Sequence, residues 1–316
     1  MGFHELETLT AAAIAALADT CEALITAEGR EQASVRERQM LLTVFEALVG
    51  ASIPATLKPE LPVGLSGLIT TTRQRQQVLQ LLTVLAFLEP RLDQHKVALL
   101  ERIAAELHVE AEVVADLEEV CRNHVLKAFG DMYRRTFRVF NDDSVVQGYA
   151  RFILPMLGIG IDHEHQARYK ALVDAPAGSL GAGLRDYYTR NGFPYPGSRK
   201  GLPYAYVAIH DVHHVIGGYG TDPGGELQVL AFSMGLFPDH ALLIALPALL
   251  QFQMGIADPL AGSVAPKLKD QLDAPAFAVA LQRGAQATGP IRDFHWDFWP
   301  WIERPLEDVR RELNVL

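Results

Sequence analysis

Four residues able to bind a metal or carry a proton stand within five positions: His210, Asp211, His213 and His214. Glu226 follows after eleven more residues. On a helix, His210 and His214 are four apart, so their imidazoles project from one face, one turn above the other. Neutral imidazoles at that spacing hold two corners of a divalent metal site. Asp211 stands beside the first histidine, as a third ligand or as an orienter of the others. The next stretch, Gly217-Gly218-Tyr219-Gly220-Thr221-Asp222-Pro223-Gly224-Gly225, cannot continue a helix and turns the chain back. Glu226 then opens a second helix that faces the histidines. His210, Asp211, His214 and Glu226 together give a nitrogen and oxygen shell suited to zinc, iron or manganese. Asp211 and His213 are the candidates for catalytic proton transfer. The flanks 205–209 and 227–237 are strongly apolar, and ionisable groups between buried helices need pairing or a metal to offset desolvation.

The elements that must position these residues read as helices throughout. Residues 4–27 carry apolar side chains near helical spacing. Ser34 and Glu37 form a capping-box pair ahead of Met40, Leu41, Val44 and Phe45. Pro54, Pro59, Pro62 and Gly64 mark a connection. Further helices are expected over 73–88, from Asp93 to Leu107, and over 109–129. A second helical domain follows, giving an all-α chain divided into 1–131 and 132–316. In it, a helix over 145–157 precedes Asp162-His163-Glu164-His165. His163 and His165 are two apart and point to different faces, with Asp162 as a helix cap. The glycine-rich entry 176–183, with Arg185 nearby, offers backbone N–H groups to an anion. Arg199 and Lys200 are the compact positive pair of the loop before the metal helix. Two apolar segments, 227–236 and 240–256, follow Glu226 and are either deeply buried or line a greasy cavity. Trp296, Trp299 and Trp301 pin a last helix to the core.

The formal net charge of −10 over 316 residues argues against a nucleic-acid partner, which would need clustered Lys and Arg. Hydrophobic residues make up 49% of the chain, enough for a large buried core. Cys21 and Cys121 stand far apart and are expected to pack as small apolar residues. The N-terminal Met1-Gly-Phe-His-Glu5 lacks a basic region followed by an apolar run, so no secretory signal is expected. The best membrane-spanning candidate, 241–256, is broken by Pro247 and carries Gln251 and Gln253. A cytoplasmic protein is the expectation.

Two resemblances follow from these motifs. The pattern His210-Asp211-x-x-His214-x11-Glu226 resembles that of the fourth Coq protein family of ubiquinone (coenzyme Q) biosynthesis. Gly178-Ser179-Leu180-Gly181 followed by Tyr187 or Tyr188, the lead-in Pro203-Tyr204-Ala205-Tyr206-Val207, and the tail from Trp296 to Leu313 are similar to that family's flanking motifs. The likeness covers roughly residues 137–316. It departs at Val207-Ala208-Ile209 and at His213, where the family has other residue types. The N-terminal part, with its two short turns at 27–31 and 89–93 each leading into a helix, looks similar to tellurite-resistance TerB-like helical domains. Those use acidic turns to bind metal; here the acids are few.

The first resemblance implies a zinc, iron or manganese ion on His210, Asp211, His214 and Glu226. It also implies a prenylated aromatic or polyprenyl lipid held between apolar helices, with walls from Leu227, Leu230, Leu242, Leu246, Leu249 and Met254. An anionic head group would meet Arg185, Arg199 or Lys200. The reaction class implied is decarboxylation or hydroxylation of a prenylated hydroxybenzoate. Alternatives are a non-catalytic lipid-binding scaffold and, ranked lower, an HD-type metal hydrolase. Peripheral membrane association, partners in a biosynthetic complex and a homo-oligomer are the expected associations.

Overall fold

The computed structural model describes residues 3–260 and 268–316; Met1 and Gly2 of the N-terminal stretch lie outside them. Among the described residues the chain is all-α, with fifteen α-helices and two isolated bridges, Ser179–Pro305 and Met254–Lys269. The N-terminal part holds α1 (Ala11–Ile25), α2 (Val35–Val44), the single-turn α3 (Leu65–Leu68), α4 (Thr72–Leu85), α5 (Gln94–Leu107) and α6 (Glu112–Cys121). Each main start has a chemical cause. Ser34 accepts from the Glu37 N–H at 3.1 Å while Glu37 accepts from the Ser34 N–H at 2.8 Å, the expected capping box. Thr71 and Gln74 do the same for α4. Asp93 accepts the first N–H groups of α5.

The helix expected over 109–129 breaks instead into α6 and α7 (Val125–Asn141), because Asn123 takes a left-handed conformation with φ of 65°. The division placed between 131 and 132 falls inside α7, a continuous helix, and the apolar core runs unbroken from Leu6 to Val315.

The C-terminal part adds α8 (Val145–Ile153), a 3-10 turn Leu154–Leu157, α9 (His163–Ala171), α10 (Leu180–Asn191), α11 (Tyr204–Gly217) and α12 (Pro223–Leu236). Next come α13 (Ala241–Ala248), α14 (Ala274–Gln286) and α15 (Leu306–Glu312). The tightest packing is α12 on α14, where Gly235 and Gly284 let the backbones close and Phe232 and Phe277 are fully buried. Truncating such a ring to alanine costs about 3–5 kcal/mol. Helix α14 also packs on α2, so the C-terminal half rests on the N-terminal one.

The apolar segments after Glu226 are core. Leu227, Leu246 and Leu249 are at most 2% exposed and pack with other buried side chains, whereas Leu242 of the same expected wall lines a cleft of ≈ 640 Å³ among α4, α7 and α13. Among the described residues no single helix is long and apolar enough to cross a membrane.

Candidate metal centre

Helix α11 is held at its C-terminal end. Its carbonyl end is capped by two arginines from distant elements. Arg310 donates to the carbonyls of Ile216 (2.8 Å) and Val215 (3.0 Å), and Arg283 donates to that of Gly217 (3.0 Å). Gly218 ends the helix in the left-handed conformation, φ 75°. Asp222 then accepts from the N–H groups of Gly224 (3.1 Å) and Gly225 (3.2 Å) and starts α12. A side chain at 225 would overlap the Gly220 carbonyl, so this turn requires glycine there. The result places Glu226 in the first turn of α12, opposite the histidines.

Three side chains converge. His210 Nε2 and His214 Nε2 lie 3.1 Å apart, and the Glu226 carboxylate oxygens lie 3.3 Å from His210 and 3.4 Å from His214. One donor atom from each falls within 4.8 Å of the others, as a metal-binding group requires. His214 Nδ1 donates to the Tyr219 carbonyl at 3.3 Å, which leaves its Nε2 lone pair facing the other two donors. Burial acts to raise the Glu226 pKa, but the two imidazoles outweigh it and hold it down at about 2. His210 is opposed by burial and raised by Glu226. The donor set therefore fits a divalent cation: two imidazoles and an ionised carboxylate. The triangle has an open edge, since the side chains of His210 and Glu226 are 26% and 22% exposed while that of His214 is fully covered.

Asp211 does not join this triangle. One residue past His210, it is rotated about 100° around the helix, and its carboxylate accepts from the hydroxyls of Tyr187 (3.2 Å) and Tyr188. Burial raises its pKa, with His210 and the Tyr188 hydroxyl working against that. Burial also raises both tyrosines, so they stay protonated donors. These tyrosines carry the role that the sequence alone did not reveal, although both lie in the motif after Gly181.

His213 is likewise outside. Fully buried between α11 and α12, it bonds Ser233 Oγ at 2.9 Å and packs against Phe232 and Phe237. Burial pushes its pKa well down, so it is a neutral core residue without access to a substrate. His165 bonds Asp162 and stacks on Tyr204, with ring centroids 3.6 Å apart, and adds nothing to the triangle.

The expected anion contacts also separate. The N–H groups of Leu180 and Gly181 are already bonded to the carbonyls of Arg304 (2.9 Å) and Ile302 (2.7 Å), so the glycine-rich entry clasps the C-terminal tail instead of an anion. Arg185 pairs with its neighbour Asp186 at 2.9 Å. Arg199 and Lys200 lie against the turn after α8. A cleft of ≈ 640 Å³ lies among α4, α7 and α13, lined in part by Arg134, Arg138, His240 and Leu242 and by none of the triangle.

No protein-family model matches the chain, and no curated protein matches it.

Proposed function

We propose that this chain is a metal-dependent enzyme of ubiquinone or related prenylated-aromatic biosynthesis, acting on a hydrophobic aromatic acid by decarboxylation, alone or with hydroxylation of the same carbon. The observation that carries it is the open edge of the His210–His214–Glu226 triangle. A structural zinc site is closed by four protein ligands, whereas three ligands with an exposed edge leave a position for a reacting molecule. The substrate class rests on the resemblance of the surrounding motifs. The same geometry weighs against an HD-type hydrolase, because neither His163 nor His165 nor a second aspartate reaches the triangle among the described residues.

A bound zinc ion would supply Lewis-acid character, and iron or manganese would supply oxygen chemistry. The chain's own residues do the positioning. Glu226 stays ionised and contributes charge to a cation. The Tyr219 carbonyl fixes the tautomer of His214. Asp211, with the Tyr187 and Tyr188 hydroxyls, holds a set of protons beside the centre on the helix face next to it.

The test is metal content after purification without added metal or chelator. Wild type should carry near-stoichiometric zinc, iron or manganese, and His214→Ala should lose it while circular dichroism keeps its helical signal. Stoichiometric metal in that variant would sink the assignment. Stoichiometric metal in wild type without turnover of a prenylated hydroxybenzoate would favour the scaffold role.

A further inference from the structure

Two clefts on this molecule meet at one wall. The cleft of ≈ 640 Å³ among α4, α7 and α13 and a second of ≈ 260 Å³ at the end of α12 share Gln76, Asp239 and His240. Each holds a buried polar atom that has no hydrogen-bond partner among the described residues. In the larger cleft it is Gln80 Oε1, on a residue 8% exposed whose Nε2 is already turned to the Pro238 carbonyl at 2.5 Å. In the smaller it is Arg292 Nη2. The other terminal nitrogen of that guanidinium donates to the carbonyls of Ala285 (3.1 Å) and Ala287 (3.2 Å), which fixes the fork but supplies no negative charge. Buried polar atoms without a partner are rare, because each has given up its hydrogen bonds to water.

Arg292 differs from the arginines of the larger cleft. Arg134 is paired with Asp131, and Arg135 with Asp116 and Glu112. No carboxylate pairs with Arg292 among the described residues, and burial lowers its pKa with no acid acting the other way. Glu5, Asp239 and Arg73 line the small cleft with it, and Glu110 and Arg138 line the larger one. Acids and arginines are thus balanced in both clefts, so overall charge does not select the occupant. Recognition is local: an acceptor for the Arg292 fork, beside donors for Gln80 Oε1 and for the carboxylates of Glu5 and Asp239. A hydrocarbon chain would satisfy none of these atoms.

We infer that the joined clefts bind a small hydrophilic oxyanion, a phosphate or carboxylate that also carries hydroxyl or ammonium donors. Its oxyanion accepts from Arg292 Nη2, its body passes Gln76 and His240, and a donor meets Gln80 Oε1. The joined space is of the size that small-molecule sites occupy. It is separate from the metal centre. Leu236, the last residue of α12, lines it, whereas Glu226 lies in the first turn of that helix, roughly 15 Å away along the axis. Phe237, which also lines it, packs on His213 and so links the site to α11.

The experiment is calorimetric titration of the full chain with ribose 5-phosphate, L-glutamate and inorganic phosphate, with sodium chloride at matched ionic strength as control. One of the two organic anions should bind at one site per chain, and which of them binds identifies the oxyanion as phosphate or carboxylate. Gln76 is exposed and borders both clefts, so Gln76→Trp should fill the entrance and abolish binding with the melting temperature unchanged. Arg292→Lys keeps the charge and a donor for the two carbonyls but loses the fork, and should weaken binding about tenfold. Binding of neither organic anion, or wild-type affinity in either variant, overturns the proposal. So does inorganic phosphate that binds wild type and both variants alike while the organic anions bind no better, which would mark an adventitious ion only. None of these readouts involves metal, so the result stands or falls apart from the metal centre.

Discussion

Two clusters of charged side chains in this molecule answer the same problem differently. In the N-terminal half, Glu31 and Glu37 surround the Lys96 ammonium at 3.1 and 2.6 Å, and Arg91 and Arg102 cover Glu31 and Glu28. This brings together the two turns at 27–31 and 89–93, with Arg30 on His95 at 2.7 Å. The cation that a metal-binding acidic turn would take from solution is here part of the chain. In the C-terminal half, His210, His214 and Glu226 converge with no Lys or Arg among them. Convergent donors thus leave room for a metal ion only where the chain withholds its own cation.

The largest effect should come from breaking the closed cluster. Glu37 and Lys96 are 2% and 5% exposed. Burial works against the Lys96 charge, but Glu37 and Glu31 outweigh it and raise its pKa. Lys96→Ala leaves Glu37 buried and unpaired, which should cost about 3–5 kcal/mol in denaturant unfolding. Metal content should not change. The double variant Lys96→Met with Glu37→Gln should recover most of the loss, as an apolar replacement of a buried pair does. A single variant as stable as wild type would show the pair to be solvated.

A second acid of the closed kind lies beside α11, the helix of the two histidines. Asp143 accepts from Asn141 (3.0 Å) and Tyr206 (2.7 Å) and pairs with Arg151 (2.7 Å). Burial acts to raise its pKa, but these three partners outweigh it and hold it below the ordinary 3.8. A carboxylate depressed by folding adds stability above that ordinary value, and the contribution is lost as pH falls through the depressed one. Asp143→Asn should therefore cost about 2 kcal/mol near neutral pH. The gap to wild type should close in acid. A cost that persists unchanged at low pH would assign it to packing.

The local chemistry of the chain was readable where a motif and its partner lie within one turn. The Ser34–Glu37 box, the Asp93 and Asp162 caps and the His210–His214 pair are all of this kind, and each stands where its spacing places it. Readings failed where the partner is remote in sequence. Asp211 reads as a ligand until Tyr187 and Tyr188 arrive from α10. His213 reads as a catalyst until Phe232 and Ser233 close over it. The glycine-rich entry reads as an anion cradle until the C-terminal tail occupies its N–H groups. The break at Asn123 carries no proline or glycine to announce it; asparagine takes the left-handed conformation after a helix less often than glycine, which makes it a weaker stop signal.

The same remoteness gives the smallest and most discriminating prediction. Arg283 comes from α14, yet its guanidinium bonds the Tyr219 hydroxyl at 2.8 Å, stacks on that ring at 5.2 Å, and reaches the Val315 carbonyl at 2.8 Å. Tyr219 in turn gives His214 its backbone acceptor. Arg283 is thus a positioning residue that acts on the centre through a carbonyl it never touches. Arg283→Met should keep the apolar stem while releasing Tyr219, and zinc affinity measured by competition with a chromophoric chelator should fall about tenfold. Tyr219→Phe removes the hydroxyl but keeps the carbonyl, and should lose less. A residue that only supported the fold would lower the melting temperature of the metal-free protein and leave zinc affinity in the refolded fraction alone. Unchanged affinity in Arg283→Met would therefore confine the centre to α11 and α12 and make the link from α14 purely structural.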